Sequence, residues 1–291
     1  MRFPLSLCLL AIVLVTTPAG ASPQPLKVVA SFSLLGDMIQ QVGGEAVTVN
    51  TLVGPDQDAH TFDPTPDAVK LIANADIIAI SGLGFEPWMN KLIKASGTKA
   101  KLLVASAGAS PRHMEGEGDI DPHAWQDLRN GALYVRNIYG ALSAARPDDA
   151  ATMKERARVY RDELLALDQE TRNAFAVLAP ERRKLLTSHD AFGYFAKAYG
   201  LQILAPMGIS TDAQPSASTL AALTDQIKSE GVKTFYIENM TDPRLTQQLA
   251  KDTGARMGGT LYADALSAPD GDAPTYLAMM KSNIKKILEG M

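Results

Sequence analysis

The chain has 291 residues, 46% hydrophobic and 21% charged, enough apolar material for a core, with a formal net charge of −4 at pH 7. No Lys/Arg cluster or basic stripe is present, so neither nucleic acid nor an anionic membrane surface is indicated as a partner. The one cysteine, Cys8, leaves no material for a disulfide framework or a thiolate metal site.

Residues 1–21 carry Arg2, an apolar run from Leu5 to Val15, and the small residues Ala19, Gly20 and Ala21. That order is the layout of a secretory signal peptide, cleaved after Ala21. The run of 11 residues is too short to span a bilayer, which takes about 20. Cys8 lies inside the run and follows Leu7 rather than a small residue, which argues against a lipid anchor. The expected product is a soluble periplasmic protein of residues 22–291.

Downstream, short apolar strands alternate with helical stretches. "LKVVASF" (26–32) reads as a strand, "LLGDMIQQVGG" as a helix with a glycine end, and "VTVNTLV" (47–53) as a second strand. A loop, "GPDQDAHTFDPTP", precedes "TPDAVKLIANA", where Thr65 can cap a helix and Pro66 occupies its first turn. "DIIAISG" (76–82) and "KLLVAS" (101–106) supply two further strands, with a helix between them. Near-continuous Val, Ile and Leu in strands separated by helices implies a parallel sheet covered on both faces.

From Asp148 to Leu178, small or apolar residues fall at Met153, Ala157, Tyr160, Leu164, Leu167, Thr171, Ala174 and Leu178. Steps alternating four and three mark one helical stripe, and Pro147 and Pro180 bracket it. Beyond it, "RKLLTS", "LQILAPM", "VKTFYIEN" and "ARMGGTLYAD" read as strands, with helices near 191–199, 216–230, 243–253 and 275–289. The expected architecture is α/β: two parallel-sheet lobes, residues 22–146 and 181–291, joined by a long rigid helix in residues 147–180, with a cleft between them. A stiff connector implies small closure motions, with local loop movement around His60 or His123 gating release.

Three of the four histidines sit at ends in this alternation. His60 follows the second strand, His123 lies in "DIDPHAWQD" after the fourth, and His189 in "LLTSHDAFGYF" ends the first strand of the second half. Asp264 in "LYADAL" ends the last strand. Ligands of open α/β sheets bind outside the carboxyl ends of strands. Gaps of 63, 66 and 75 residues mean that only the fold could unite these four groups. Each alone also has a plainer reading, as a surface group or a helix cap. Together they would form an N₃O site that suits Zn²⁺ and, less selectively, Mn²⁺, Fe²⁺ or Co²⁺.

The motifs "DAHTFDPTPDAVKLIANAD", "DPHAWQD", "TSHDAFGYFAKAYGL" and "YAD", with the long helix between halves, resemble the metal-binding solute-binding proteins of ABC importers. The likeness covers nearly all of the chain after the leader. It implies that His60, His123, His189 and Asp264 fall on the family's four ligand positions, and that the chain captures a divalent metal for a membrane permease without being an enzyme. Manganese-type members tend to carry Glu at the third position; His189 here favours zinc as the transported ligand. Manganese or iron as cargo, and a more distant exported zinc-dependent hydrolase, stay open. The resemblance further implies a monomer and admits a zinc metallochaperone as a second partner. No H-E-x-x-H helix or nucleophile elbow is present.

Around these four, Asp58, Asp121, Asp190 and Glu238 could each accept the second N–H of a ligating imidazole. Glu238 is preferred because it ends a strand, and the other three read as surface acids near turns. Trp125 and Phe192 are expected to wall the site. His113, in the Gly- and acid-rich segment 108–121, reads as a solvated loop residue, or else as a weak collecting site with Glu115, Glu117 or Asp119. Affinity is expected to fall as pH drops through about 6.5, where imidazoles protonate.

Overall fold

The computed structural model describes residues 24–113 and 119–291. The expected export segment, Glu115 and Glu117 lie outside them.

The first sheet is built from β1 (Leu26–Phe32), β2 (Val47–Val53), β3 (Ile77–Ile80) and β4 (Lys101–Val104), all parallel in the order β2-β1-β3-β4. Its register is continuous, with Val28 beside both Val49 and Ile77. The helices α1 (Ser33–Gly43), α2 (Pro66–Ala73) and α3 (Met89–Ser96) connect these strands. α2 starts as its sequence indicates: Pro66 takes the first turn and the Thr65 hydroxyl accepts the Ala68 N–H at 3.2 Å. After β4 a short antiparallel hairpin, β5 (Arg112–His113) with β6 (Ile120–Asp121), leads to the turn Ala124–Gln126.

Two helices follow. α4 (Leu128–Ala145) is absent from the sequence reading, although Leu128, Val135, Ile138 and Leu142 are all buried on one side of it and the Asp127 carboxylate caps its N-terminus at Arg129 N. α5 (Ala150–Ala176) is the long helix, 27 residues or roughly 40 Å. It is shorter at both ends than the stripe suggests. Met153, Ala157, Tyr160, Leu164, Leu167 and Thr171 are buried as expected, but Phe175 then replaces Ala174 and Leu178 in the buried set. A 3.6-residue helix drifts about 20° per heptad from an alternation of threes and fours, so the buried stripe advances by one residue.

The second sheet comprises β7 (Lys184–Leu186), β8 (Gln202–Leu204), β9 (Thr234–Glu238) and β10 (Arg256–Leu261), parallel in the order β10-β9-β7-β8. Here α6 (Gly193–Tyr199), α7 (Ala217–Glu230), α8 (Arg244–Thr253) and α9 (Tyr276–Gly290) complete the lobe. Among the described residues no helix is long and apolar enough to cross a membrane.

α5 joins the lobes by lying against both: α1 and α4 on one side, α6 and α9 on the other. Asp168, 3% exposed, sits at the crossing. Its Oδ2 accepts Arg129 Nε and Arg172 Nε at 2.9 Å each, and its Oδ1 accepts the Tyr199 hydroxyl at 3.1 Å. One hydrophobic core runs continuously from the first sheet into the second lobe, taking in Phe32, Trp125, Leu164, Phe195 and Tyr276. A second, small core of Leu186, Leu223, Ile227, Phe235 and Leu249 lies under α7 and α8.

Candidate metal centre

Four chain segments end at one point between the lobes. His60 stands in the β2–α2 loop, His123 opens the 124–126 turn, His189 follows β7, and Asp264 follows β10. One donor atom from each lies within 4.8 Å of all the others. His60 Nε2 is 3.1 Å from Asp264 Oδ2 and 3.3 Å from His123 Nε2. His189 Nε2 lies 3.2 Å from Asp264 Oδ2, and His123 Nε2 3.7 Å from Asp264 Oδ1. The imidazole ring centres are 5.3–5.7 Å apart. Among the described residues no other group of His, Cys, Asp or Glu is placed to hold a metal.

The cluster is dry. His123, His189 and Asp264 are at most 1% exposed and the His60 side chain 6%. Within it His189 Nε2 and both Asp264 oxygens are buried and make no hydrogen bond outside the cluster; their close neighbours are one another and the other two imidazoles. Buried polar atoms that face only one another are costly; a cation at the point they share would satisfy them together.

The far side of each buried ring is fixed by a carboxylate. His123 Nδ1 meets Asp121 Oδ1 at 2.8 Å, and the same oxygen accepts the His123 backbone N–H at 2.9 Å. His189 Nδ1 meets Glu238 Oε2, while Oε1 accepts Ser188 N and His189 N. A proton on each Nδ1 leaves the Nε2 lone pair facing the centre, the tautomer that metal binding needs. Asp121 is a correction to the sequence reading: it is fully buried, not a surface acid. Its signal was local, an acid two residues ahead of the histidine in "DPH". Arg112, unforeseen, anchors Asp121 in turn, its Nη1 reaching Oδ2 at 2.8 Å.

Asp58 caps its own loop instead of orienting a ring, accepting His60 N at 2.9 Å and the Thr211 hydroxyl at 2.5 Å. Asp190 donates its backbone N–H to Gly208 O. Trp125 does border the cluster, its ring centre 5.4 Å from that of His123. Phe192 packs on Phe195 in the core, and the second aromatic wall is Phe85, edge-on to His60 at 5.0 Å and to His123 at 6.0 Å. Phe85 rides on residues 82–84, all at positive φ, a turn signal the glycines at 82 and 84 carried. His113 is exposed on β5, opposite Ile120. Asp119 lines a cavity of about 560 Å³ that reaches His60.

The charges are interlocked. Burial alone would depress His123, but the Asp264 charge and the Asp121 hydrogen bond more than reverse it and lift it to about 9. His189 is raised well above the ordinary histidine range: burial opposes this and the charges of Glu238 and Asp264 prevail. Burial would raise Asp264, yet His123 and His189 hold it well below the usual carboxylate range. In the metal-free protein the cleft therefore carries protons where a cation would sit. Four protein donors could complete a tetrahedron about one ion, which would leave no position for an activated water and would suit holding an ion better than turning over a substrate.

Residues 28–290 match the family described as "Zinc-uptake complex component A periplasmic". The manganese ABC transporter substrate-binding lipoprotein PsaA of Streptococcus mitis is 31% identical over 298 residues, covering 98% of this chain and 96% of its own. The iron ABC transporter substrate-binding lipoprotein MtsA of Streptococcus pyogenes serotype M1 is 31% identical over 296 residues, covering 99% and 96%. The structure of the periplasmic zinc binding protein TroA from Treponema pallidum aligns with a TM-score of 0.86 at 28% identity, over 92% of this chain and 99% of that one. The Mn-bound periplasmic metal binding protein from Candidatus Liberibacter asiaticus gives 0.82 at 31% identity, over 90% and 98%.

Proposed function

Since the chain belongs to the family of zinc-uptake substrate-binding proteins of metal ABC transporters, we propose that it captures zinc with His60, His123, His189 and Asp264 and hands it to the importer's permease. Its role as an extracytoplasmic metal carrier, and not an enzyme, follows from the family. One observation supports the choice of ligands: three imidazole nitrogens and a carboxylate converge in a dry cleft where His189 Nε2 and both Asp264 oxygens make no hydrogen bond outside the cluster. We read the carrier as a monomer of residues 22–291 whose proposed partners are the permease and, upstream, a zinc metallochaperone. Curated relatives are named lipoproteins, whereas residues 5–21 support a free periplasmic form; the intact mass of the exported protein, with or without lipid on Cys8, separates the two.

A second cargo has its own support. Relatives are named for manganese and iron, and both Asp264 oxygens face the cluster and could bind bidentately, adding a hard fifth donor of the kind Mn²⁺ favours. Stripped protein offered zinc and manganese together decides between them. One zinc per chain that excess manganese does not displace supports the zinc reading; preferential retention of manganese overturns it while leaving the carrier role.

A further inference from the structure

Asp264 belongs to the second lobe by sequence, but its segment is hydrogen-bonded to the first. The carbonyl of Ala263 accepts Trp125 Nε1 at 3.0 Å and Gln126 Nε2 at 2.9 Å. Just beyond, Leu266 N donates to Ser33 Oγ at 3.0 Å and Leu266 O accepts Asp56 N at 2.9 Å. Asp56 Oδ2 also accepts Ala268 N at 3.2 Å. Trp125 and Gln126 are wholly buried. Gln126 Oε1 is buried with no partner among the described residues, so the Ala263 carbonyl is what orients this amide. Both grips come from the turn that His123 opens, and the Trp125 ring also lies against the His123 ring.

We propose that Trp125 and Gln126 are positioning residues for the cargo. By pinning Ala263 O they set Asp264 at a fixed distance from His123 and His60. Three of the four donors are then tied to the first lobe, Asp264 through Ala263 and Leu266 although it also continues from β10 and lies beside Asn239, while His189 follows β7 and is backed by Glu238 of β9. This inference rests on the donor set proposed above. Preorganisation matters because a carboxylate free to drift contributes less to binding than one already in place.

The test is a double-mutant cycle read by chelator competition for zinc. Trp125→Phe keeps an apolar ring and Gln126→Leu keeps most of the volume, and both remove the donors. Together they are expected to weaken zinc binding by about 10- to 100-fold. In an Asp264→Ala background the same pair is expected to cost less than about twofold, because the group they act through is gone. The Co²⁺ absorption spectrum of the paired variant should shift toward that of Asp264→Ala. Losses that simply add in the two backgrounds overturn the proposal and reduce Trp125 and Gln126 to packing. If Asp264→Ala alone leaves affinity unchanged, the donor set itself fails, a different result from additive losses. Should the pair not fold, Gln126→Leu is taken through the same cycle by itself: a loss that vanishes without Asp264 supports the proposal, and one that persists overturns it.

Discussion

Glu238 grips His189 twice: one carboxylate oxygen faces the ring at Nδ1, and the other accepts the backbone N–H groups of Ser188 and His189 at 3.0 and 3.1 Å. Asp121 repeats the pattern on His123 with a single oxygen. Glu238→Gln keeps the shape but can turn an amide N–H toward Nδ1. The histidine would then carry its proton on Nε2, pointing at the metal position. Zinc affinity is expected to drop by about 10- to 100-fold. An affinity within about twofold of the parent would show that the tautomer is not set by Glu238.

Proton competition should extend well above the ordinary imidazole range. His123 at about 9 and His189, raised in the same direction, both hold protons at pH 7 that a cation must displace. The sequence alone placed this competition near 6.5; the buried carboxylates move it upward. Affinity is expected to climb with pH until about 9, and calorimetry in buffers of different ionisation heat should show proton release on binding at pH 7. No release would contradict the account.

The same shift has the opposite sign for the stability of the metal-free protein. A histidine with a raised pKa contributes fully below its unfolded value of about 6.5, and its contribution is lost as pH rises through about 9. The thermal midpoint of the metal-free form is therefore expected to fall between those two pH values. A midpoint that holds or rises across that window would count against it.

Asp168 ties α5 to α4 and α6 through Arg129, Arg172 and Tyr199, none of them among the four clustered residues. Asp168→Ala strands Arg129, Arg172 and Tyr199; because the arginines are partly solvated, the cost is about 2 kcal/mol, below that of a fully buried pair. Urea denaturation should show that loss, with zinc affinity changed less than about threefold. A large affinity loss would make the hub part of the binding machinery.

With α5 packed along both lobes, wide hinge opening would have to strip core contacts. Small-angle scattering is expected to give the same radius of gyration with and without zinc. A clear expansion of the metal-free form would refute the rigid connection.

Much of this was legible in the sequence. β1 and β2 begin and end where their apolar runs do, and the Thr65-Pro66 cap opens α2. The four residues that converge between the lobes were visible because each ends a strand or follows one. α4 escaped although its buried residues recur at steps of three and four, since Gly131 and Gly140 interrupt a run that otherwise reads as a helix. Gly131 faces the Tyr276 ring, where a Cβ would collide at 2.4 Å; such a need for space belongs to the tertiary fold. The burial of Asp121 and the grip of Gln126 on Ala263 likewise depend on the packing of distant segments, 137 residues apart in the second case. Local pattern cannot contain them.

The most direct test is zinc K-edge X-ray absorption on the stoichiometrically loaded protein, with His60→Ala beside it. The account predicts three imidazole nitrogens and carboxylate oxygen at about 2.0–2.2 Å, and one imidazole fewer in the variant. A shell of water oxygens, or a spectrum unchanged by His60→Ala, would contradict it.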